Sequence, residues 1–306
     1  MRIAIMGSGA VGGYFGARLA AAGNDVAFIA RGAHLEAIRS RGLRIESPEG
    51  NLHLSPVRAT GDPAAIGPVD VVFFTVKMYD TEPAARAIGP LLGPDTAVVT
   101  FQNGVESVGI LGGILGPDRV MGGVAYIAAV VSEPGVLKHT AMGRLIFGES
   151  GGRRTARASA LHAACSAAGF EATLSDRIGD DIWEKFVRLA VISGMCALTR
   201  SSVGGMRGDP EIFAMIRSAL DETFAVARAR GVSLRPGLMD EILKMVGDLP
   251  PGSKASMLED LERGKPLELP WLSGAVVRLG RELNVETPIH AFISTALKLQ
   301  AGGARR

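Results

Sequence analysis

The sequence predicts an α/β domain with a mostly parallel sheet, followed by an all-α domain. In the first half, short apolar runs alternate with helical segments, which is the pattern of a parallel sheet covered by helices. The nearly continuous apolar run at 69–75 is typical of a strand buried on both faces. From about Ile178 onward, helical periodicity continues and strand signals almost vanish. We therefore expect two domains, residues 1–175 and residues 176–306.

The predicted strands of the first domain are short, and helices are expected between several of them, notably at 11–22 and 81–92. The strands fall at residues 2–6, 25–30, 43–46, 69–75, 97–101, 120–125 and 145–148. The helices of the second domain are predicted at residues 182–198, 210–230, 238–246, 254–263, 269–283 and 288–299.

Bulk composition narrows the class of protein. The chain of 306 residues is 47% hydrophobic and 21% charged, which is typical of a globular protein. Lys and Arg number 33 and Asp and Glu 31, so the net charge of +2 gives no reason to expect nucleic acid or a membrane as partner. Cys165 and Cys196 lack metal-binding spacing, so we expect buried free thiols and no metal. Without a signal peptide or an apolar stretch of about 18 residues, a cytoplasmic location is expected.

The sharpest motif is the run Gly7-Ser8-Gly9-Ala10-Val11-Gly12, which directly follows a predicted strand and opens a predicted helix. The first glycine permits a tight turn, the second lets a pyrophosphate approach the backbone, and the third lets the helix pack close to the strand. The amino end of the helix offers unpaired N–H groups to phosphate. This context predicts a dinucleotide-binding Rossmann domain, the alternative being a glycine turn in another α/β protein.

Arg31 follows the second predicted strand, where proteins that bind NAD usually carry an acidic residue that accepts the ribose 2′-OH. No acid stands at this strand end. A guanidinium can instead make charge-assisted contacts with a 2′-phosphate. Arg31 therefore favours NADPH over NADH, the alternative being a solvated arginine in a loop.

Two further polar residues follow predicted strands, Lys77 after the fourth and Asn103 after the fifth. Loops at the carboxyl ends of parallel strands line the ligand crevice of such sheets. Lys77 could face a negative or polar group of the cofactor. Asn103 could hydrogen-bond both the nicotinamide side of the cofactor and a substrate, although Asn103-Gly104 is also the sequence of an ordinary turn.

Lys185 lies early in the most apolar predicted helix, within Trp183-Glu184-Lys185-Phe186. Hydride transfer to a ketone forms an alkoxide that needs a proton, which a positioned lysine can supply. A lysine drawn partly out of water has a lowered pKa and is a better acid near neutrality. Ser193 falls two turns later on roughly the same face. The alternative is a lysine on a solvated helix face.

Ser256 and Glu268 are further candidates in the second domain. Ser256 opens a helical pattern and could cap it, while Glu268 follows the Gly264-Lys265-Pro266 loop and could cap the next helix. The histidines show neither metal-binding spacing nor a paired acid, so we expect structural or surface roles for all five.

Together these residues resemble the ketopantoate reductase (2-dehydropantoate 2-reductase) family, within the 6-phosphogluconate-dehydrogenase-like superfamily. The resemblance covers nearly the whole chain, and the order and spacing of its motifs are specific. The motifs are the glycine run at 7–12, Arg31-Gly32, Val76-Lys77, Gln102-Asn103-Gly104, Trp183 with Lys185, Ser256-Met257-Leu258 with Asp260, Glu268, and the segments 274–280 and 286–288.

The resemblance implies NADPH as hydride donor, a 2-keto acid as substrate, and a homodimer formed through the helical domain. It implies that Lys185 donates the proton, and that Glu268 contacts the cofactor and helps to hold the lysine. It places Asn103 between the nicotinamide and the substrate, the backbone near Ala128 against the nicotinamide, and Ser256 on the substrate carboxylate.

The chain departs from the family where characterised members carry substrate-binding asparagines, four and eight residues after the lysine and again further on. These positions hold Leu189, Ser193 and Val203. Reduction of ketopantoate to pantoate, a step of pantothenate synthesis, therefore stands beside reduction of another keto acid whose carboxylate Ser193 or Arg200 would bind. A non-catalytic NADP-binding sensor is the third hypothesis, and the retained lysine and glutamate count against it.

Overall fold

The computed structural model describes residues 1–304, which form two compact units. One comprises residues 1–102 and 106–178, and the other comprises residues 103–105 together with the chain from Gly179 onward. The first unit is α/β and the second is helical, which confirms the predicted fold class. The short segment Asn103–Val105 follows a strand of the first unit in sequence but packs with the second.

The strands described within residues 1–304 all belong to the first unit. They are β1 (Arg2–Met6), β2 (Asp25–Ile29), β3 (Leu43–Glu46), β4 (Leu52–Leu54), β5 (Ala59–Thr60), β6 (Val69–Phe74), β7 (Leu92–Thr100), β8 (Val120–Glu133), β9 (Val136–Glu149) and β10 (Glu171–Leu174). The helices between them are α1 (Ala10–Ala21), α2 (Gly32–Arg41), α3 (Thr81–Ala87), α4 (Ser107–Leu115) and α5 (Ala156–Ala167).

The second unit is built from helices. They are α6 (Ile178–Thr199), α7 (Val203–Arg207), α8 (Pro210–Ala229), α9 (Leu238–Asp248), α10 (Ser256–Glu262), α11 (Ser273–Leu283) and α12 (Pro288–Ala296). None of the helices within residues 1–304 combines the length and the apolar character that crossing a bilayer requires.

A single sheet organises the first unit, in the order β4-β3-β9-β8-β7-β6-β1-β2-β5, with β10 beside β9. The central strand β1 pairs in parallel with β2 on one side and with β6 on the other. The carboxyl ends of these three strands lie at one edge of the sheet, so the loops that follow them are neighbours. This edge carries the glycine run.

The β8–β9 hairpin corrects the sequence prediction of two short strands at 120–125 and 145–148. Each strand is 14 residues long, and the two pair antiparallel around a turn at Pro134-Gly135. Gly135 has φ +84°, a left-handed conformation that suits glycine in a tight turn. The strands β4 and β5 were not predicted, because two or three residues are too few to establish a period of two, and the four-residue strand β10 was also missed.

Each unit buries its own hydrophobic core. In the first unit, apolar residues pack on both faces of the sheet, as expected for strands covered by helices. In the second, α6 runs through the centre, where Trp183 and Phe186 pack edge to face with ring centroids 5.3 Å apart. Cys165 and Cys196 are buried free thiols, as predicted, and burial raises the pKa of Cys165 to about 12.

Candidate active site

Two glycines of the run at 7–12 are required by close packing. Gly7 has φ +100°, and a Cβ there would lie 2.8 Å from the backbone N of Val76. A Cβ on Gly12 would lie 2.7 Å from Cγ2 of Ile5 and closer still to Thr75 and to the carbonyl of Gly7. The first glycine therefore permits the turn and the third lets α1 approach the sheet, which are the roles that their spacing predicted.

Gly9 has a different environment, because a Cβ there would meet nothing within 4 Å. It is the N-cap of α1, no side chain caps this helix end, and no acidic residue lies in its first turn. Both donors of Ser8 are used inside the protein, since its N–H and its hydroxyl each donate to the carbonyl of Ile29 at 3.0 Å. The open backbone of the turn is thus Gly9, Ala10 and Val11, and an uncapped helix end of this kind fits a pyrophosphate.

His34 ties the glycine turn to the β8–β9 hairpin. The N–H of Gly135 donates to Nδ1 of His34 at 3.1 Å, so the neutral ring carries its proton on Nε2. Nε2 in turn donates to the carbonyl of Ser8 at 2.8 Å. The histidine therefore fixes the orientation of one peptide group in the turn, a role that its place in the sequence did not reveal.

Arg31 and Asp80 form an ion pair at the edge of the sheet that carries the glycine turn. Nη2 of Arg31 lies 2.5 Å from Oδ2 of Asp80. Arg31 is the N-cap of α2, two residues after β2, and Asp80 lies six residues after β6. Lys77 begins the 3₁₀ turn that ends at Asp80. The structure thus brings two predicted cofactor residues to neighbouring loops and adds an acidic residue that was not predicted.

In the second unit, Lys185, Asn103 and Glu268 are joined by hydrogen bonds. Nζ of Lys185 donates to Oδ1 of Asn103 at 2.9 Å, and Nδ2 of Asn103 donates to Oε2 of Glu268 at 3.4 Å. The two bonds fix which way the Asn103 amide points. Glu268 is only 4% exposed, and a buried carboxylate requires such donors. The three residues therefore form one polar cluster.

Gly104 explains how Asn103 reaches this cluster. Its φ is +93°, and a Cβ at this position would lie 3.1 Å from the carbonyl O of Trp271. Trp271 ends the 3₁₀ turn that begins just after Glu268. Asn103-Gly104 forms a turn, which was the alternative interpretation of this dipeptide. The same turn also places the Asn103 amide against the Glu268 carboxylate.

The ammonium group of Lys185 has an unusual environment for a charged side chain. Burial and, to a smaller extent, the nearby Arg188 guanidinium lower the pKa of Lys185 to about 8, and Glu268 opposes the shift. The lysine is therefore mainly protonated at neutral pH but able to release its proton. A proton donor for an alkoxide needs this combination.

Comparison with known proteins identifies the family. Models described as ketopantoate reductase PanE/ApbA, and as its C-terminal part, match residues 3–152 and 177–301. The chain belongs to the ketopantoate reductase family. A 2-dehydropantoate 2-reductase of Mesorhizobium japonicum is 37% identical over 321 residues, which cover 98% of each chain. The ketopantoate reductase family consists of oxidoreductases, and the chain is accordingly an oxidoreductase that acts on a ketone.

Solved structures agree with this assignment. A crystal structure of 2-dehydropantoate 2-reductase from Geobacter metallireducens GS-15 is 32% identical, with a TM-score of 0.93 over 98% of this chain and 99% of that one. A D-mandelate dehydrogenase solved with NADH and anilino(oxo)acetate has the same fold, with a TM-score of 0.90 over 98% of each chain at 22% identity. The fold thus occurs with more than one substrate, and in one case with NADH.

The remaining residues expected from the ketopantoate reductase family belong to both units. Ala128 lies in β8, where its carbonyl accepts a hydrogen bond from Thr140. Ser256 is the exposed first residue of α10, and Ala255, not Ser256, is the N-cap of that helix. Glu268 likewise makes no side-chain cap, since its carboxylate is engaged by Asn103. The expected capping roles of the serine and the glutamate are therefore wrong.

Where the family carries substrate-binding asparagines, this chain has two apolar residues and a buried serine. Ser193 is fully buried, and its hydroxyl has no hydrogen-bond partner within residues 1–304. Val203 is buried and Leu189 packs against the core of the second unit. Arg200 is exposed just beyond α6, with φ +54°. Within residues 1–304 no group of three or more His, Cys, Asp or Glu side chains could hold a metal ion.

Three residues with a bearing on the site escaped sequence reasoning: Asp80, Arg188 and His34. Asp80 and His34 each lie within a few residues of a predicted cofactor residue, so proximity in sequence was an available signal. Arg188 lies three residues, or nearly one turn, after Lys185 on the same helix. What the sequence lacked was the direction in which each side chain points.

Proposed function

We propose that the chain is an NADPH-dependent reductase of a 2-keto acid, and that its reaction is the reduction of ketopantoate to pantoate. The observation that carries the proposal is the Lys185 ammonium, which is held by Asn103 and has a pKa lowered to about 8. Perturbed acids of this kind cluster at catalytic sites, which counts against a non-catalytic protein. NADPH would supply the hydride, and the residues of the chain position the reactants and supply the proton.

In this proposal Lys185 donates a proton to the carbonyl oxygen of the substrate as that oxygen becomes an alkoxide. Asn103 holds Nζ through its Oδ1, which limits the positions that the ammonium can take. Glu268 orients the asparagine amide and keeps the lysine charged, because a nearby carboxylate favours the ammonium form. The three side chains thus keep the acid in place and in its active form.

The remaining roles follow the family. The glycine turn at 7–12 would receive the pyrophosphate, mainly through Gly9, Ala10 and Val11, and Arg31 would bind the 2′-phosphate of NADP(H). The proposed cofactor residues are Gly7, Ser8, Gly9, Ala10, Val11, Gly12, Arg31, Lys77, Asn103, Ala128 and Glu268. The proposed substrate residues are Asn103, Lys185, Ser193 and Ser256.

A second candidate is a keto acid that lacks the terminal hydroxyl of ketopantoate. Leu189 and Val203 offer no hydrogen bond where the family has asparagines, and the Ser193 side chain is closed to solvent. A substrate hydroxyl left without a partner costs about 1–3 kcal/mol. The same chemistry at Lys185 would then act on a more apolar 2-keto acid.

The deciding experiment measures kcat/KM for NADPH oxidation with ketopantoate and with 3,3-dimethyl-2-oxobutanoate, which differs only by the missing hydroxyl. A higher value for ketopantoate supports the first proposal, and a higher value for the apolar analogue supports the second. Leu189→Asn serves as the matched variant and should raise the relative rate on ketopantoate if the apolar pocket is the cause. No oxidation with any 2-keto acid would overturn both.

We further propose that residues 1–175 form the NADP-binding domain and that residues 176–306 form a domain for substrate binding and homodimerisation. The dimer is expected from the family, and sedimentation velocity of the full chain measures it directly. A single species at the mass of one chain, 31.9 kDa, would contradict the dimer. The cytoplasmic location stays a prediction.

A further inference from the structure

The Arg31–Asp80 ion pair lies where the proposed cofactor would place the 2′-position of its adenosine ribose. Arg31 follows β2 and Asp80 follows β6, and these two strands flank β1 on opposite sides. The pair therefore spans the edge of the sheet at which the glycine turn emerges from β1. An acidic side chain at this place bears on which dinucleotide the chain prefers.

The Asp80 carboxylate is committed to Arg31 and not to its own helix. Asp80 is the N-cap residue of α3, a position at which aspartate usually accepts a hydrogen bond from the helix backbone, yet it makes no such bond. Its carboxylate instead lies 2.5 Å from Nη2 of Arg31. The Arg31 side chain is 76% exposed and that of Asp80 is 29% exposed, so both remain within reach of a ligand.

We propose that Asp80 is a cofactor-specificity residue that lowers the preference for NADPH and allows the chain to use NADH. The inference rests on the proposed function, in which Arg31 contacts the ribose 2′-position. Paired with Asp80, Arg31 no longer presents a net positive charge to a 2′-phosphate. The carboxylate also repels that phosphate, which carries up to two negative charges of its own.

The same carboxylate is suited to an unphosphorylated ribose. A 2′-hydroxyl donates a hydrogen bond, and carboxylates near the adenosine ribose accept it in proteins that bind NAD. Such an acceptor usually comes from the end of the second strand, where this chain has Arg31. Asp80 supplies it from the loop after β6. The acid absent from the expected position is thus provided by a neighbouring loop.

The test measures Kd for NADPH and for NADH, by titration of the full chain, in wild type, Asp80→Asn and Arg31→Ala. We expect Asp80→Asn to tighten NADPH binding on the order of tenfold at low salt, from the Coulomb energy of charges about 5 Å apart. The gain should shrink as ionic strength rises, because exposed charges are screened. NADH binding should weaken in the same variant, since its hydroxyl loses a charged acceptor.

Asp25→Asn is the matched control. Asp25 also pairs with exposed arginines, at 3.5 Å from Arg2 and 3.6 Å from Arg58. It begins β2, so it lies at the amino end of the strand, away from the glycine turn. The control changes the net charge equally and should leave both dissociation constants unchanged. If Asp25→Asn tightens NADPH binding as much as Asp80→Asn does, the effect is one of net charge and the inference is wrong.

The outcomes separate this inference from the proposed function. If Arg31→Ala weakens NADPH binding while Asp80→Asn leaves it unchanged or weakens it, the role of Asp80 is refuted and the cofactor assignment stands. If Arg31→Ala changes neither dissociation constant, the assignment of Arg31 to the 2′-phosphate fails first. Asp80→Ser provides a second variant if Asp80→Asn does not fold, which circular dichroism would reveal.

Discussion

Nζ of Lys185 donates a hydrogen bond to Oδ1 of Asn103 at 2.9 Å, although 82 positions separate the two residues in the chain. Asn103 lies in the loop between β7 and α4, and Lys185 lies within α6. The contact holds a part-buried ammonium group through a neutral oxygen, where it can act as an acid.

Replacing Lys185 by Met should remove the proton donor and preserve the fold. We expect kcat for keto-acid reduction to fall by roughly 10²–10⁴, the usual contribution of a general acid. The melting temperature should fall somewhat, because the substitution leaves the buried Glu268 carboxylate without the nearby positive charge, so circular dichroism should establish that the variant is folded. Lys244→Met, at an exposed position on α9, is the control and should retain full activity. A Lys185→Met variant that still turns over at the wild-type rate would refute the mechanism.

The pH dependence should report the pKa of Lys185, which is lowered to about 8. Reduction needs the protonated lysine, so kcat/KM should be flat below pH 8 and fall about tenfold per unit above it. The reverse oxidation needs the neutral lysine and should rise through the same range. A reduction rate that stays constant to pH 10 would show that another group supplies the proton.

Substitution of Arg188 should shift the pH at which the reduction rate falls and leave Lys185, Asn103 and Glu268 unchanged. Its guanidinium lowers the pKa of Lys185, so Arg188→Met should raise that pKa and shift the fall in reduction rate to higher pH. Arg217→Met, on α8, is the control variant with the same change of charge. If the reduction rate of Arg188→Met falls at the same pH as that of wild type, the Arg188 guanidinium does not contribute to the lowered pKa of Lys185.

His34→Ala should weaken cofactor binding without slowing turnover. The substitution removes the bonds to Ser8 and Gly135 that orient the glycine turn, and one net hydrogen bond corresponds to about a fivefold change in Kd. We expect KM for NADPH to rise by about this factor. Because these bonds orient the glycine turn and not the proton donor, kcat at saturating NADPH should remain within about twofold of the wild-type value. His53→Ala, which removes one exposed bond to Arg41, should change neither. A fall in kcat alone would contradict a positioning role.

His290 should make the protein sensitive to acid. It is fully buried beside Thr223, and burial lowers the pKa of His290 to about 4. Between pH 6.5 and 4 the unfolded chain binds a proton that the folded chain does not, so stability is lost as the pH falls through this range. The loss should reach about 3 kcal/mol. The free energy of unfolding, measured by urea denaturation at several pH values, should depend less on pH in His290→Gln than in wild type. An equal pH dependence in the two proteins would contradict the assignment.

The sequence by itself determined the parts of this protein that local sterics control. Gly7 and Gly12 indicate the tight turn after β1 and the close packing of α1 on the sheet, because a side chain at either position would overlap its immediate neighbours. The alternation of apolar runs with helical periods determined the fold class, and the apolar context of Lys185 indicated a perturbed lysine. The full length of the two 14-residue strands of the hairpin, and the shortest strands, were not predicted, since pairing with neighbouring strands supplies what their own patterns lack.

Only the tertiary structure decided which side chains meet. The residues themselves indicated a turn at Asn103 and a helix cap at Glu268, and only the family resemblance linked Glu268 to Lys185. In the structure both belong to one polar cluster with Lys185, because Gly104 lets the backbone approach Trp271. Arg31 looked like an unopposed cation until Asp80 was found beside it. The physical reason is common to these cases. Hydrogen bonds and ion pairs act over about 3 Å, and the chain fixes such distances between remote residues only by folding.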